Sequence, residues 1–282
     1  MSEPRVIHTG VDFGEGPRWH EGRLWFSDFH RHGVFSIGAA GGDERLELQL
    51  DGERPSGLGW MPDATMLVVA MLSQKLLAVS PNGEIREHAD LSGIATANCN
   101  DLVVSADGHA YVGNFGFDLE NGAGFVPAHL AHVAPDGEVR KVDHPLAFPN
   151  GSVITPEGST LIVGETFGGR YTAFTLDPDG HPVDPRVWAS FDGSPDGCCL
   201  DADGAIWVSD FSGQRFARLH EDGTVSREVA VDGAAVACML GGPDETTLYG
   251  FVSPGSHPDE VAGKGLTTIV AIETDAARAG LP

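Results

Sequence analysis

A sixfold repeat is the feature of this sequence that most constrains its fold. Each unit opens with a polar or small residue, reaches a bulky apolar residue four positions later, turns, and continues as an apolar run. The six openings are residues 15–19, 56–60, 100–104, 150–154, 196–200 and 236–240. The apolar runs that follow contain Leu24, Leu67, Ala110, Leu161, Ile206 and Leu248, which are 43, 43, 51, 45 and 42 residues apart. A repeat of this length, rich in short strands and turns, is typical of the four-stranded blades of a β-propeller.

Two kinds of turn alternate along the chain and mark the hairpins of each unit. The first kind follows the opening strand, at residues 20–23, 62–65, 106–109, 156–159, 202–205 and 243–246. The second kind comes later in the unit, at residues 81–84, 135–138, 178–181 and 221–224. Asn-Gly or Asp-Gly between apolar runs is a strong hairpin signal, because these residues tolerate the positive φ angle that such turns need. Two hairpins per unit predict an all-β, six-bladed β-propeller with four-stranded blades.

The two ends of the chain complete one blade in this prediction. The last unit supplies only three strands, whereas residues 4–9 form an isolated strand at the start of the chain. We infer that this N-terminal strand closes the last blade and covers its open edge. A shorter last sheet with frayed ends is the alternative. Six units of 47 residues account for all 282 residues, so the sequence predicts a single propeller domain over residues 1–282.

Composition narrows the possible partners and the compartment. With 17 basic and 41 acidic residues the net charge is −24, which argues against nucleic acid and anionic membrane surfaces as partners. We see no signal peptide and no apolar run of about 18 residues that would span a membrane. The four cysteines form no Cys-x-x-Cys pair and are expected to be buried thiols of a reduced, cytoplasmic protein.

Four of the six openings carry an oxygen-bearing side chain at the same register. If the openings line one central channel, these side chains converge: Glu15, Asn100, Asn150 and Asp196. Hard oxygen donors with two formal negative charges suit one divalent cation, Ca²⁺ first, with Mg²⁺, Mn²⁺ or Zn²⁺ as alternatives. Each residue also has a structural interpretation, because Asn150-Gly151 and Asp196-Gly197 are common turn pairs and Glu15 alone could be an exposed carboxylate.

The connections after the second strand of each unit should lie at the same channel mouth as these openings. Phenylalanine occurs in four of the six connections and would give the mouth an apolar rim. The third connection is extended, and residues 116–132 could form a lid over the site or a plain surface excursion. The histidines expected on this side, any of which could carry a proton or only be solvated, are His30, His32, His129, His132 and His257.

The motifs Glu15-Gly-Pro-Arg-Trp, Asn100-Asp101, Pro149-Asn150-Gly151 and Asp196-Gly197 resemble the senescence marker protein-30/gluconolactonase/luciferin-regenerating-enzyme family, which includes regucalcin-type lactonases. The resemblance implies a six-bladed propeller with a divalent cation near the channel centre. It also implies Glu15, Asn150 and Asp196 as core ligands, and Asn100 as a residue that binds substrate in some members and metal in related propellers.

One position departs from the pattern of the sugar-lactone members, which tend to have an arginine two residues before Asn100. Here that position is Asn98, which lacks the guanidinium fork suited to polyhydroxylated rings. This difference favours a less polar lactone or ester. The residues expected to contact the substrate are Asn98, Asn100, Asn114, Phe115 and Phe117.

We therefore predict a metal-dependent hydrolase of the gluconolactonase type that opens small-molecule lactones or related esters. Bound cations polarise carbonyl groups and activate water. Asp196 is the predicted general base, in line with the family, and Asp101 is the second candidate. One alternative keeps the fold and the cation but changes the chemistry, for example to phosphotriester hydrolysis. Another is a non-enzymatic calcium-binding or interaction propeller, and the oligomeric state stays open.

Overall fold

The computed structural model describes residues 3–282 and contains six four-stranded antiparallel sheets, which confirms the predicted six-bladed propeller. The chain begins with β1 (Arg5–Val11). Blade 1 then comprises β2 (Gly14–His20), β3 (Arg23–Asp28), β4 (Gly33–Gly38) and β5 (Arg45–Gln49). Blade 2 comprises β6 (Pro55–Trp60), β7 (Met66–Ala70), β8 (Lys75–Val79) and β9 (Ile85–Asp90). Blade 3 comprises β10 (Cys99–Val104), β11 (Ala110–Asn114), β12 (Ala131–Val133) and β13 (Val139–Lys141).

The second half of the ring repeats the same order of strands. Blade 4 comprises β14 (Pro149–Ile154), β15 (Thr160–Glu165), β16 (Arg170–Leu176) and β17 (Pro182–Ser190). Blade 5 comprises β18 (Pro195–Leu200), β19 (Ile206–Asp210), β20 (Arg215–Leu219) and β21 (Val225–Ala230). Blade 6 comprises β22 (Ala234–Gly241), β23 (Thr247–Ser253) and β24 (Thr267–Glu273), and one helical turn, α1 (Pro258–Val261), precedes β24.

The N-terminal strand closes blade 6, as the sequence predicts. The strand order of this sheet is β1-β24-β23-β22, and β1 pairs antiparallel with β24 through Arg5 and Ala271. The pairing covers the edge of β24 that the C-terminal strands alone would leave open. It also joins the first and last strands of the described chain in one sheet, which closes the ring.

Apolar side chains between neighbouring blades form the core. Phe26 of blade 1 and Phe251 of blade 6 are fully buried, and their ring centroids lie 5.4 Å apart. Close packing of this kind requires small residues opposite large rings. A Cβ atom on Gly250 would lie 2.3 Å from the ring of Phe216, so blade 5 can pack against blade 6 only because glycine occupies this position.

A β-bulge interrupts the first strand of all six blades, and in four of them it lies at a predicted ligand. The pairing register shifts between the residue pairs Glu15/Arg18, Pro55/Leu58, Cys99/Leu102, Pro149/Ser152, Pro195/Cys198 and Ala235/Ala237. A bulge bends its strand and re-aims one side chain. Asn150-Gly151 and Asp196-Gly197 lie within these strands, so their interpretation as turns is wrong. A Cβ atom on Gly151 would lie 2.5 Å from the carbonyl oxygen of Asp196, and glycine therefore lets neighbouring first strands approach closely.

The extended connection of blade 3 covers residues 115–130, so the predicted boundaries of 116–132 include two residues of β12.

All four cysteines are buried free thiols, and burial raises the pKa of Cys99 to about 12. Across residues 3–282, the helical segments are too short and polar to traverse a bilayer.

Candidate active site

The four predicted ligands lie together in one cavity. The cavity has a volume of about 360 Å³, and Glu15, Asn100, Asn150 and Asp196 all contribute to its lining. Their exposed fractions are only 8%, 5%, 6% and 7%, respectively. Because the four come from the first strands of blades 1, 3, 4 and 5, the propeller brings together residues that are far apart in the sequence.

The carboxylates of this cavity repel one another. Burial, followed by the charges of Asp196 and Asp101, raises the pKa of Glu15 well above its usual value. Burial also raises the pKa of Asp196, against a lowering hydrogen bond from Asn150. Arg18 is the nearby cation, with its guanidinium 3.5 Å from the Asp101 carboxylate. When ionised, Glu15, Asp196 and Asp101 carry three negative charges against the single positive charge of Arg18, and one divalent cation would balance the remaining two.

Arg18 is held in place by backbone carbonyl groups from its own blade and from blades 2 and 3. It is 5% exposed, and it donates to the carbonyl oxygens of Leu58 and Pro17 at 2.7 Å each and to that of Leu102. Asp101 accepts from the Leu102 amide at 2.8 Å and pairs with Arg18 outside the cavity lining. The two predicted bases therefore differ, because Asp196 faces the cavity whereas Asp101 is committed to Arg18.

Thr166 fixes the orientation of the Asn150 amide. Its hydroxyl donates to the carbonyl oxygen of Pro195 at 2.7 Å and lies 3.1 Å from Asn150 Nδ2. Since the hydroxyl proton is already used, Thr166 can only accept from Asn150, which must present its NH₂ group there. The Oδ1 atom of Asn150 is then the donor left for a cation. The sequence interpretation missed Thr166, whose only signal is its place directly after β15.

The donor set fits an oxygen-seeking cation. Within residues 3–282, no group of three or more His, Cys, Asp or Glu side chains is arranged to hold a metal, so a cation here depends on amide oxygens as well. Two buried carboxylates and two amide groups offer hard oxygen ligands of the kind that Ca²⁺ and Mg²⁺ prefer. Their uncompensated charge is the structural reason to expect such a cation.

Apolar, mostly aromatic side chains form a further part of the cavity lining, which we call the aromatic wall. Its residues are Phe13, Phe29, Met71, Phe115, Leu119, Phe148, Phe167 and Phe211. Phe148 is central, because its ring centroid lies 4.8 Å from that of Phe115 and 5.0 Å from that of Phe167. Its φ angle of 66° is rare for a bulky residue and indicates a strained backbone beside the site. Phe167 is 52% exposed and extends the apolar surface to the mouth.

The predicted substrate-binding residues separate into two groups. Asn100 and Phe115 line the cavity. The other three lie outside the lining and either belong to the connection of residues 115–130 or form hydrogen bonds with it: Asn98, Asn114 and Phe117. The Asn98 carbonyl accepts from the Phe115 amide at 2.9 Å, and Asn114 Nδ2 donates to the carbonyl oxygen of His129 at 2.9 Å. Phe117 is 8% exposed and packs against Phe148.

An ion pair joins the extended connection to blade 2 at the cavity mouth. Arg54 donates to Glu120, and both residues line the cavity. Arg54 directly precedes β6, whereas Glu120 lies within residues 115–130, so the pair bridges the mouth from one blade to the next. The sequence interpretation did not include either residue, because nothing in the chain between them indicates that they meet.

The histidines divide between the mouth and the blade interior. His30 and His257 line the cavity, as expected for the mouth side. The placement predicted for His132 is wrong, because it is 1% exposed within β12 and lies between two other histidines. Its Nε2 is 2.9 Å from His109 Nδ1, and its Nδ1 is 3.1 Å from His181 Nδ1. Burial and these neighbours lower the pKa of His132 to about 4.

Sequence comparison identifies the family. The pattern of the SMP-30/Gluconolactonase/LRE-like region matches residues 13–251, and the chain belongs to this family. It is 25% identical to pentonolactonase XacC of Haloferax volcanii over 272 residues, which cover 94% of this chain and 89% of the relative. It is 23% identical to lactonase drp35 of Staphylococcus epidermidis over 269 residues, which cover 91% of this chain and 78% of the relative.

Solved structures share the same fold over the whole chain. A luciferin-regenerating enzyme aligns with a TM-score of 0.81 at 18% identity, covering 98% of both chains. Regucalcin of Agrobacterium tumefaciens, described as a calcium-binding protein, aligns with a TM-score of 0.78 at 22% identity and 99% coverage of both chains. At these identities the alignments establish the propeller fold but not the reaction, because one fold can host many functions.

Proposed function

We propose that this protein is a divalent-cation-dependent lactonase whose substrate carries an apolar substituent beside the lactone ring. The observation that carries the proposal is the juxtaposition of two buried, mutually repelling carboxylates, Glu15 and Asp196, with an aromatic wall in one cavity. The lactonase names of the two relatives support the reaction class. A volume of about 360 Å³ suits a small monocyclic ligand.

Glu15, Asn150 and Asp196 would hold the cation, and Asn100 would either join them or bind the substrate. When bound, a divalent cation polarises a carbonyl group and lowers the pKa of water. The choice of Ca²⁺ as the first candidate rests on the all-oxygen donor set. The calcium-binding description of the regucalcin structure agrees with this choice.

The chain's own residues have three roles in the reaction. Asp196 accepts the proton of the attacking water and returns it to the ring oxygen as the carbon–oxygen bond breaks, so a hydroxy acid is released. Asn100 donates from its amide to the carbonyl oxygen as negative charge develops there. Thr166 keeps the Asn150 amide in one orientation through its hydrogen bonds to Asn150 and Pro195.

The aromatic wall is the basis for the proposed substrate class. Six phenylalanines, Met71 and Leu119 would bury a hydrocarbon substituent, and each buried methylene group adds about 0.8 kcal/mol to binding. A sugar lactone presents hydroxyl groups that need hydrogen-bonding partners instead. Asn98 supplies no guanidinium for them, and its side chain lies outside the cavity lining.

The test is acid release from a lactone panel by chelator-stripped protein, before and after addition of Ca²⁺, Mg²⁺, Mn²⁺ or Zn²⁺. The panel contains unsubstituted and alkyl-substituted γ-lactones, glucono-δ-lactone and an aryl phosphotriester. We expect cation-dependent turnover, fastest with the alkyl-substituted lactones. A clear preference for glucono-δ-lactone would refute the apolar substrate class, and turnover of the phosphotriester alone would refute the reaction class.

Two variants show whether the turnover comes from this site. Glu15→Gln keeps the shape of the side chain but removes one ligand charge, so we expect loss of turnover without loss of folding. Asp201→Asn is the control, because Asp201 is a buried carboxylate in the turn after β18 that contacts Arg218 and lies outside the cavity lining. Equal loss of turnover in both variants would point to a general effect on the fold.

A further inference from the structure

We propose that Asp28, Glu165 and Asp210 are positioning residues that hold the three core ligand strands in register. This inference rests on the ligand set of the proposed function. The three residues end the second strands of blades 1, 4 and 5, and each is fully buried. Blades 1, 4 and 5 are the blades that carry Glu15, Asn150 and Asp196.

Each positioning residue pairs in the sheet with the residue that directly precedes a ligand. The pairs are Gly14–Asp28, Pro149–Glu165 and Pro195–Asp210. The ligand itself then starts the bulge, where the regular ladder gives its backbone the least support. A carboxylate at this point can instead restrain the segment that leads into the ligand.

The carboxylates do so by binding the peptide that leads into each ligand. Asp28 accepts from the amides of Asp12 and Phe13, at 2.9 and 3.3 Å. Glu165 accepts from the Ala147 amide at 2.7 Å. Asp210 accepts from the Ser194 amide at 2.9 Å.

An arginine or further donors fix the other side of each carboxylate. Arg170 Nε and Thr172 Oγ1 each donate to Glu165 at 2.6 Å. Arg215 Nε donates to Asp210 at 2.9 Å. Asp28 binds the His30 and Arg31 amides, each at 3.2 Å. The ligand peptide is thus tied to a side chain that has little freedom to move.

The other blades show that the fold does not require a carboxylate here. Ala70 occupies the position in blade 2 and pairs with Pro55, which precedes Ser56. In blade 3 the position is Asn114. Its side-chain amide donates to the carbonyl oxygen of His129 and accepts from the Gly116 amide, both in the connection of residues 115–130. In blade 6 Ser253 ends the second strand. Within residues 3–282, a carboxylate at the end of the second strand therefore occurs only in the three blades that carry the core ligands.

Blade 5 contains a matched control for this proposal. Asp201 Oδ1 accepts from two amides at 3.0 and 3.1 Å, and its Oδ2 accepts from Arg218 Nε at 2.6 Å. Asp210 Oδ1 likewise accepts from two amides at 2.9 and 3.1 Å, with Arg215 Nε on its Oδ2. Asp201 lies at the opposite end of the same strand pair, so the two residues differ mainly in their distance from Asp196.

The test is calorimetric titration of Ca²⁺ into the wild-type, Asp210→Asn and Asp201→Asn proteins, with thermal unfolding recorded for each. Asparagine keeps one oxygen for the two amides but places an NH₂ group opposite the arginine. We expect Asp210→Asn to weaken Ca²⁺ binding about tenfold or more, and Asp201→Asn to leave it within about twofold, at similar losses of thermal stability. Equal effects of the two variants, or none, would overturn the proposal.

A crystal structure of Asp210→Asn without added cation is the second measurement. We expect the Asp196 carboxylate to move relative to Glu15, and an unmoved carboxylate would overturn the proposal. If the wild-type protein binds no divalent cation, the cation dependence of the proposed function is refuted. The crystal structure of Asp210→Asn then decides by itself whether Asp210 positions Asp196. Glu165→Gln replaces Asp210→Asn in both experiments if the latter does not fold.

Discussion

Asp196→Asn should stabilise the cation-free protein. In the absence of a cation, Asp196 is buried beside Glu15 and Asp101, and burial and Asp101 raise its pKa. Each unit of such a shift corresponds to about 1.4 kcal/mol of cost to the ionised form. Because a neutral amide of the same shape avoids that cost, we expect the free energy of unfolding at pH 7.5 to rise by about 1–2 kcal/mol. For a chain of this size the melting temperature should rise by about 2–4 °C.

In the presence of calcium, the wild-type protein should instead be more stable than Asp196→Asn. At a free Ca²⁺ concentration of about 100 times the dissociation constant, binding to the folded state stabilises it by about 2.7 kcal/mol, or roughly 5 °C. The variant has lost one ligand charge and should gain little. Scanning calorimetry of both proteins in chelator and in Ca²⁺ measures the four melting temperatures, with Asp201→Asn as a variant that should be destabilised in both media. A variant that melts below wild type in chelator would refute the repulsion on which the cation argument depends.

Three further predictions concern other residues. The pKa of His132 is about 4 in the folded state and about 6.5 when unfolded, so stability is lost as pH falls from 6.5 towards 4. Urea titrations should show a loss on the order of 2 kcal/mol, and His132→Leu should remove that part of the pH dependence. Phe167→Ala should raise KM for alkyl-substituted lactones about tenfold while leaving that for unsubstituted ones nearly unchanged, as initial rates would show. Glu120→Gln removes the charge opposite Arg54 and should speed amide hydrogen exchange in residues 115–130, whereas unchanged exchange would argue against the ion pair as a restraint.

The sequence predicts the blades well because their signals are local. An Asp-Gly turn such as Asp203-Gly204 and the apolar runs around it depend on neighbouring residues, and the repeat presents the pattern six times. The convergence of Glu15 and Asp196 is predictable for a related reason. Once equivalent positions of a closed ring are aligned, they must lie at the same radius and depth.

The features that escape prediction depend on contacts between distant residues. Arg54 and Glu120 are 66 positions apart and meet only because blades 2 and 3 are neighbours. The bulge at Asn150-Gly151 uses the same residue types as a turn, so composition alone cannot separate the two. Thr166 becomes informative only when the carbonyl of Pro195, from the next blade, is known to accept its proton.

The number of ligands bears on the choice between a catalytic and a storage role for the cation. Ca²⁺ binds six to eight oxygen atoms, whereas the four side chains that would hold it supply four when each carboxylate binds through one oxygen: Glu15, Asn100, Asn150 and Asp196. The equivalent openings of blades 2 and 6 carry Ser56 and Val236, and neither supplies a charged donor. A buffer site would gain affinity from more carboxylates, whereas an incomplete shell leaves coordination positions for water and a carbonyl oxygen. Because the proposed cation would have an incomplete shell in the same cavity as an aromatic wall, the ligand count favours catalysis on an apolar substrate over calcium storage.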